Sequence, residues 1–480
     1  MGHLRAGARL LTVVVLLSAS LVAASPVSAA EPAACTAPVP SSTKPGYVVA
    51  DPDCDLNGTP FGPLTSADGT PLSRTWTGIV DGAAYRIEVP LRWNGELAVW
   101  AHGYRGQGAT VYVDNPSLRA HYVARGFAWA ASSYQTNGYD VGQGVRDSHA
   151  MIARFAAVTG KRARGVYMTG VSMGGHITAV AIEHYRGSFV GAMPLCGSIG
   201  DTELYDYFTD ATVTAAALTG MPLSFPTDGD PGPAFDAAFK ADVKAALPLL
   251  GSNFGVGVPP TLTDLGRTWG DAVERRSGGE RPGFDSAFAY WNAAPGLAPN
   301  NDVPFLFGVY PGMSGGTAGI APGNIVDNRL TWYDLDDRLL PSRAELRLNR
   351  DALRVARTAT ASRDLSGIPR VNGDPRIPVL SLHTIGDLFV PLSMEQTYAL
   401  RAALHGQSRN VAQRAVRAVG HCEFTPGELN RTFDDLVTWV RTGRKAAGDA
   451  LLNPREVARP TFGCTYTVGA RPNFVAPACP

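Results

Sequence analysis

A mixed α/β fold, with a mostly parallel sheet flanked by helices, is predicted for this 480-residue chain by three features of its sequence. Short strands follow one another closely from Trp76 and then alternate with helical stretches, as in a sheet that starts antiparallel and continues parallel. The β-branched and aromatic run Arg164–Thr169 enters Gly170-Val171-Ser172-Met173-Gly174 and leaves as an aliphatic helix over Gly175–Glu183. From Gly200 to about Gly373 the alternation stops, and it returns with strands at Arg376–His383 and Ala412–Val419.

The N-terminus reads as a targeting segment. Arg5 and Arg9 precede an apolar run from Leu10 to Ala23, and Val27-Ser28-Ala29-Ala30 offers small residues for cleavage after Ala29 or Ala30. The run is shorter than a membrane span and contains serines, so export to the extracellular space is expected, without stable membrane association. Lys plus Arg and Asp plus Glu number 42 each, with no basic run or acidic tail. Nothing in that balance suits nucleic acid or an anionic membrane as partner. All 6 cysteines lie beyond the leader and none forms a Cys-x-x-Cys pair. In an oxidising compartment they read as three disulfides. Cys35 with Cys54 and Cys464 with Cys479 are close in sequence, which leaves Cys196 with Cys422.

After a turn-rich wrap over Tyr47–Arg74, strands are expected at Trp76–Val80, Ala84–Leu91 and Glu96–Ala101, separated by the hairpin dipeptides Asp81-Gly82 and Asn94-Gly95. A further strand at Phe127–Ser132 precedes a helix from about Val145 to Val158, and Phe189–Leu195 follows the Gly-x-Ser-x-Gly segment. Between Gly200 and Gly373, helices are expected at Ala234–Leu247, Asp264–Arg275, Asp285–Asn292 and Ser342–Ala356, with Pro231, Pro233, Pro259 and Pro260 marking loops. The expected organisation is a signal peptide (1–30), a first core segment (31–199), an inserted mainly helical cap (200–373), a second core segment (374–445) and a disulfide-stapled tail (446–480).

Strand, Gly-x-Ser-x-Gly and helix together form the context of a nucleophile elbow. The turn is so sharp that side chains two positions either side of the serine must nearly vanish, which Gly170 and Gly174 satisfy. Ser172 is therefore the candidate nucleophile. Acyl transfer also needs two N–H donors aimed at a developing oxyanion. One is the residue after the serine, Met173. The other falls in the loop after the third strand, at His102-Gly103-Tyr104; Tyr104 is the candidate, with Gly103 the alternative. Asp387, just past a core strand and between Gly386 and Val390-Pro391, has the position of a triad acid, or else caps the helix that starts near Pro391. His421, in the loop after the last strand, has the position of the base.

These residues resemble those of α/β-hydrolase-fold serine esterases over Trp76–Gly443. The Gly-Val-Ser-Met-Gly-Gly elbow is similar to those of secreted feruloyl-type esterases and polyhydroxyalkanoate depolymerases. Prolyl-oligopeptidase-like peptidases often carry a bulky aromatic where this chain has Met173. Gly420-His421-Cys422 resembles tannases, in which a cysteine beside the nucleophile pairs with the one after the histidine; here Val171 stands before Ser172 instead. The resemblance implies a carboxylic ester hydrolase with a small or polymeric ester substrate and no metal or organic cofactor. The same machinery serves a peptidase or an acyltransferase, and a secreted binding protein that kept the fold is the alternative of another class.

Aromatic residues of the cap, namely Tyr205, Tyr207, Phe208, Tyr290, Trp291, Phe305, Phe307, Tyr310, Trp332 and Tyr333, are candidates to line a substrate pocket or to form the cap's own core. Asp228-Gly229-Asp230 reads as a solvated turn rather than a calcium loop. One prediction belongs to the sequence alone: N-terminal mass mapping of the exported protein is expected to find Ala30 or Glu31 first.

Overall fold

Eight strands form the central sheet of the computed structural model, which describes residues 35–225, 232–294, 302–309, 323–336, 338 and 340–480. They are β1 (Ser73–Val80), β2 (Ala83–Pro90), β3 (Glu96–Ala101), β4 (Ala128–Ser132), β5 (Gly165–Val171), β6 (Gly191–Leu195), β7 (Val379–Thr384) and β8 (Val411–Val416). Their order across the sheet is β8-β7-β6-β5-β3-β4-β2-β1. Only β2 runs against the others; from β4 to β8 every neighbouring pair is parallel. This is the α/β-hydrolase strand order. The leader segment, Pro231, Tyr310 and Asp228-Gly229-Asp230 lie outside the described residues.

The antiparallel start holds for one of the two expected hairpins. Asp81 (φ 48°) and Gly82 (φ 75°) close a two-residue turn, with Val80 paired to Ala83. Asn94-Gly95 closes no hairpin, because β3 pairs with β4 and β5 and not with β2. Every residue of β3 after Glu96 is buried, and two parallel partners satisfy its backbone better than an edge pairing. On β2, Arg86 and Glu88 are completely buried under the N-terminal wrap. Glu88 accepts hydrogen bonds from Arg119 (2.6 Å), Trp129 (2.8 Å) and the Leu64 N–H (3.0 Å). Arg86 donates to the Pro52 carbonyl and to Asp55. Each charge is therefore paired where it leaves water.

Helix α1 (Arg119–Ala124) and, at the far end, α10 (Pro426–Thr442) pack on one face of the sheet; α2 (Val141–Thr159) and α3 (Met173–His184) pack on the other. The connection from β6 to β7 carries α4 (Glu203–Thr219), α5 (Gly232–Leu250), α6 (Asp264–Ser277), α7 (Phe284–Ala293) and α8 (Arg343–Asp351). One apolar core runs without a break from the sheet into this connection, and Cys35–Pro480 form one compact unit.

Helix α4 has no counterpart in the sequence reading. Leu204 through Ala216 are all buried, Asp206 and Asp210 included, so polar and apolar residues do not separate onto two faces and no amphipathic stripe is there to detect. Helix α8 begins with the capping box of Ser342 and Glu345 but stops at Asp351, short of the expected Ala356. The Asn328 side chain takes the Val355 N–H (2.6 Å) and the Asn324 carbonyl takes the Thr358 N–H (2.8 Å), which holds that stretch extended. β8 likewise ends at Val416 rather than Val419, since the Arg417 N–H turns to Thr467 and the Ala418 carbonyl receives the Gly386 N–H.

Three disulfides close: Cys35–Cys54, Cys464–Cys479 and Cys196–Cys422, the last with Cα atoms 5.3 Å apart and a sequence separation of 226. A loop of that length removes up to about 5 kcal/mol of unfolded-state entropy in the loop-closure account. Peptide mapping without reduction is expected to recover these three linkages; a Cys196 peptide joined to any other cysteine overturns the long one.

Candidate active site

The site is built at the carboxyl edge of the sheet, where β3, β5, β6, β7 and β8 release their loops. β5 ends at Val171 and α3 begins at Met173, so one residue, Ser172, makes the turn. Its backbone sits at φ 59°, ψ −122°, a conformation that costs on the order of 1–3 kcal/mol. Neighbours enforce it. The Ser172 N–H donates to Leu195 O of β6 (2.9 Å) and its carbonyl accepts from the Gly175 N–H (2.8 Å). The elbow glycines are steric requirements. A methyl on Gly170 would lie 2.2 Å from the Gly174 carbonyl oxygen, and one on Gly174 2.1 Å from the Ala101 oxygen.

Asp387 and His421 come to this serine from loops 34 residues apart. His421 Nε2 is 2.8 Å from Ser172 Oγ, and Nδ1 is 2.6 Å from Asp387 Oδ2. Asp387 is fully buried, and its Oδ1 accepts the N–H groups of Phe389 (2.9 Å) and Val390 (3.0 Å). It thus caps its own turn and not the following helix α9 (Ser393–Leu404). With three donors around it the carboxylate is held in one orientation, which fixes the imidazole tautomer that presents Nε2 to the serine.

Of the expected oxyanion segments, Met173 directly follows Ser172 and Gly103 lies beside it. Met173 is the first residue of α3, where an N–H has no partner within the helix. The loop after β3 passes so close that a methyl on Gly103 would lie 3.1 Å from Ser172 Cβ and 3.5 Å from Oγ. Tyr104 follows directly, with its side chain partly buried against the core. His102 is a brace. Its ring stacks on Tyr134 (3.9 Å between centroids), and its nitrogens face the Gly103 carbonyl (2.7 Å) and the Ser133 carbonyl (3.1 Å). Burial, with the Arg105 guanidinium nearby, holds the His102 pKa well below the usual imidazole range. Cys196 and Cys422 carry sulfur within 4.8 Å of a His421 nitrogen, but as a disulfide they offer no thiolate to a metal.

The loops of Asp387 and His421 are held by Trp291 and Tyr207, which the sequence offered only as pocket or core aromatics, and by Arg281, to which it assigned no role. Trp291 of α7 donates its indole N–H to the Gly386 carbonyl (3.0 Å) and to the Val419 carbonyl (2.8 Å), one on each loop. Arg281 Nε donates to Ile385 O (2.6 Å), and the Tyr207 hydroxyl donates to Leu388 O (3.2 Å). Behind them His383 is buried between Glu395 Oε1 (3.3 Å) and the Val390 carbonyl (2.7 Å). Burial lowers its pKa, but the Glu395 carboxylate more than reverses this and the ring titrates above its ordinary range. No local motif marks the contacts of Trp291, Arg281 and Tyr207, since each joins segments far apart in sequence.

The aromatic residues of the β6–β7 connection divide. Phe389 packs on the His421 ring (4.9 Å), and Phe305 (5.3 Å), Phe208 (6.1 Å) and Trp291 (6.4 Å) pack on Phe389. Tyr205 packs edge-on to Tyr139. Phe307 and Tyr333 are buried against Trp269 and Asp210. Tyr290 and Trp332 are exposed.

No family model matches the chain. It is 25% identical over 405 residues to an o-phthalyl amidase of Xanthobacter agilis, covering 76% of this chain and 86% of that protein. Among solved structures it is similar to feruloyl esterase B of Aspergillus oryzae, with a TM-score of 0.41, 13% identity, and coverage of 87% of this chain and 86% of that one. It is also similar to the rice cell wall degrading esterase LipA of Xanthomonas oryzae, with a TM-score of 0.34, 14% identity, and coverage of 77% and 89%. An acylaminoacyl peptidase of Pyrococcus horikoshii has a TM-score of 0.34 and 12% identity, with coverage of 79% of this chain and 44% of that one.

Trp291→Phe keeps the ring and removes the shared donor, leaving two buried carbonyls short of a partner. Urea unfolding is expected to show a loss of about 1–3 kcal/mol.

Proposed function

We propose that this protein is a secreted serine hydrolase of carboxylic acyl compounds, esters foremost, working through an acyl-enzyme. The observation that carries this reading is the unbroken hydrogen-bonded line from Asp387 through His421 to Ser172. His421 Nε2 takes the hydroxyl proton as Ser172 Oγ bonds to the carbonyl carbon. The carbonyl electron pair moves to oxygen, where the N–H groups of Met173 and Tyr104 receive it. Collapse of this intermediate breaks the bond to the leaving alcohol, which departs with the proton from His421. Water then attacks the acyl-enzyme with His421 again as base, the acid leaves, and the proton returns to Ser172. Asp387 keeps the ring oriented and balances its positive charge. The scheme uses no metal or organic cofactor.

A second reading, amide hydrolysis, is favoured by the o-phthalyl amidase relative. It needs the same steps, with an amine leaving in place of the alcohol. Secretion is supported by the N-terminal leader pattern and the three disulfides, and no helix among the described residues is long and apolar enough to cross a membrane. We assign the 200–373 segment as a cap; its Phe208 and Phe305 back the Phe389 ring that faces His421.

A panel of 4-nitrophenyl esters, feruloyl esters and acyl anilides tests the reaction. Ser172→Ala is expected to remain folded, to lose fluorophosphonate labelling and to fall about 10⁴-fold or more in turnover. Near-normal hydrolysis by that variant would remove the assignment. Asp387→Asn is expected to keep substrate binding while turnover falls by orders of magnitude.

A further inference from the structure

A cavity of about 370 Å³ opens at the carboxyl edge of the sheet, and the residues next to the three site groups form its wall. Val171 precedes the serine, Gly103 and Tyr104 belong to the oxyanion loop, and Cys422 follows the base. The rest of the wall has two characters. Trp100, Leu195, Phe424 and Leu429 line it with apolar side chains, while Arg105, Asp114, Asn115 and Ser117 give it a polar part. A volume of this size takes one ring or a short chain.

Arg105 gives the polar part its chemistry. Only 9% of its side chain is exposed, and the guanidinium lies 4.0 Å above the Tyr112 ring with Nη1 donating to the Tyr112 carbonyl. That stacking and carbonyl bond hold the planar group in place. Nη2 is buried and makes no hydrogen bond; Asp114 Oδ2 lies 2.5 Å away, off the N–H directions. Asp114 is itself 48% exposed, so water competes for its charge. The cavity thus holds a fixed, poorly hydrated cation whose Nη2 group makes no hydrogen bond and faces one half-exposed carboxylate, that of Asp114.

We propose that this cavity is the subsite for an acyl group that carries a free carboxylate, which displaces Asp114 and takes the Arg105 N–H groups. The substrate class is then the half-ester or half-amide of a dicarboxylic acid, with the ring or chain on the apolar side chains and the second carboxylate at Arg105. This rests on the acyl-hydrolase reading above, which it narrows.

Two measurements test it on the full-length protein. Rates on 4-nitrophenyl hydrogen glutarate and on 4-nitrophenyl valerate compare acyl chains of equal length with and without the charge. Wild type is expected to favour the charged ester in kcat/KM, Arg105→Gln to reduce that preference about tenfold to a hundredfold, mostly through KM, and Asp114→Asn to increase it. Asp114 is at the surface, so the second variant remains informative if the first fails to fold. Calorimetry on Ser172→Ala, with benzoate and benzamide as probes, reads the cavity without turnover. Benzoate is expected to bind at least about tenfold tighter than benzamide, and the added Arg105→Gln change to erase the difference. Equal binding of the two probes, or a charged-to-neutral ratio that neither variant moves by more than about twofold, overturns the subsite. Absence of hydrolysis of both esters with benzoate selectivity intact counts against the acyl-hydrolase reading and supports the anion subsite.

Discussion

The backbone of Ser172 is the constraint on which the rest of the site depends. A residue with a side chain sits at φ 59°, and it stays there because no other path joins β5 to α3. Four chain segments meet at van der Waals contact around it. Gly174 lies against the end of β3, Gly170 against the first turn of α3, and a methyl on Gly175 would lie 2.5 Å from the Gly197 Cα beyond β6. Such closeness leaves the chain one arrangement, and the strain of one residue is spread over three strands and a helix. The reward in geometry is a hydroxyl lifted clear of the sheet beside an unpaired helix N-terminus.

Asp387 and His421 are held by a different principle. Their loops are gripped through their carbonyl oxygens. Trp291, Arg281 and Tyr207 all belong to the β6–β7 connection, and each donates to the backbone of 385–388 or of 419. Loop carbonyls that leave a sheet edge need partners when buried, and these side chains supply them. The connection therefore does two things at once. It packs aromatic rings behind Phe389, which faces His421, and it fixes the loop from which Asp387 reaches that histidine.

The Cys196–Cys422 bond adds a covalent tie between the strand beside the elbow and the loop of the base. Both cysteines have positive φ, at 42° and 57°, so each lies at a sharp turn, Cys196 directly after β6 and Cys422 in the loop that follows β8. With Thr384 Oγ1 donating to the Gly420 carbonyl (2.9 Å), the base loop is anchored on both sides of His421. An error near 1 Å in such a group can reduce a rate about 100-fold, which gives the anchoring its functional weight.

What the sequence determined by itself was whatever rests on short-range sterics and strand chemistry. Gly170, Ser172 and Gly174 between a β-branched run and an aliphatic run are enough to place the elbow, because the turn's demands fall within five residues. Asp387 and His421 were legible for the same reason, each standing just past a buried strand. The tertiary structure alone decided the rest. Asn94-Gly95 looks like a hairpin locally and is not one, since β3 finds both its partners elsewhere in the chain. Helix α4 is buried on all sides, so its burial erased the periodicity that would have announced it. The clamp of Trp291 on Gly386 and Val419 spans 95 and 128 residues, and the Arg105 cavity gathers residues from 100 to 429. Contacts over such separations leave no local pattern; they exist only once the sheet has brought its carboxyl edge together.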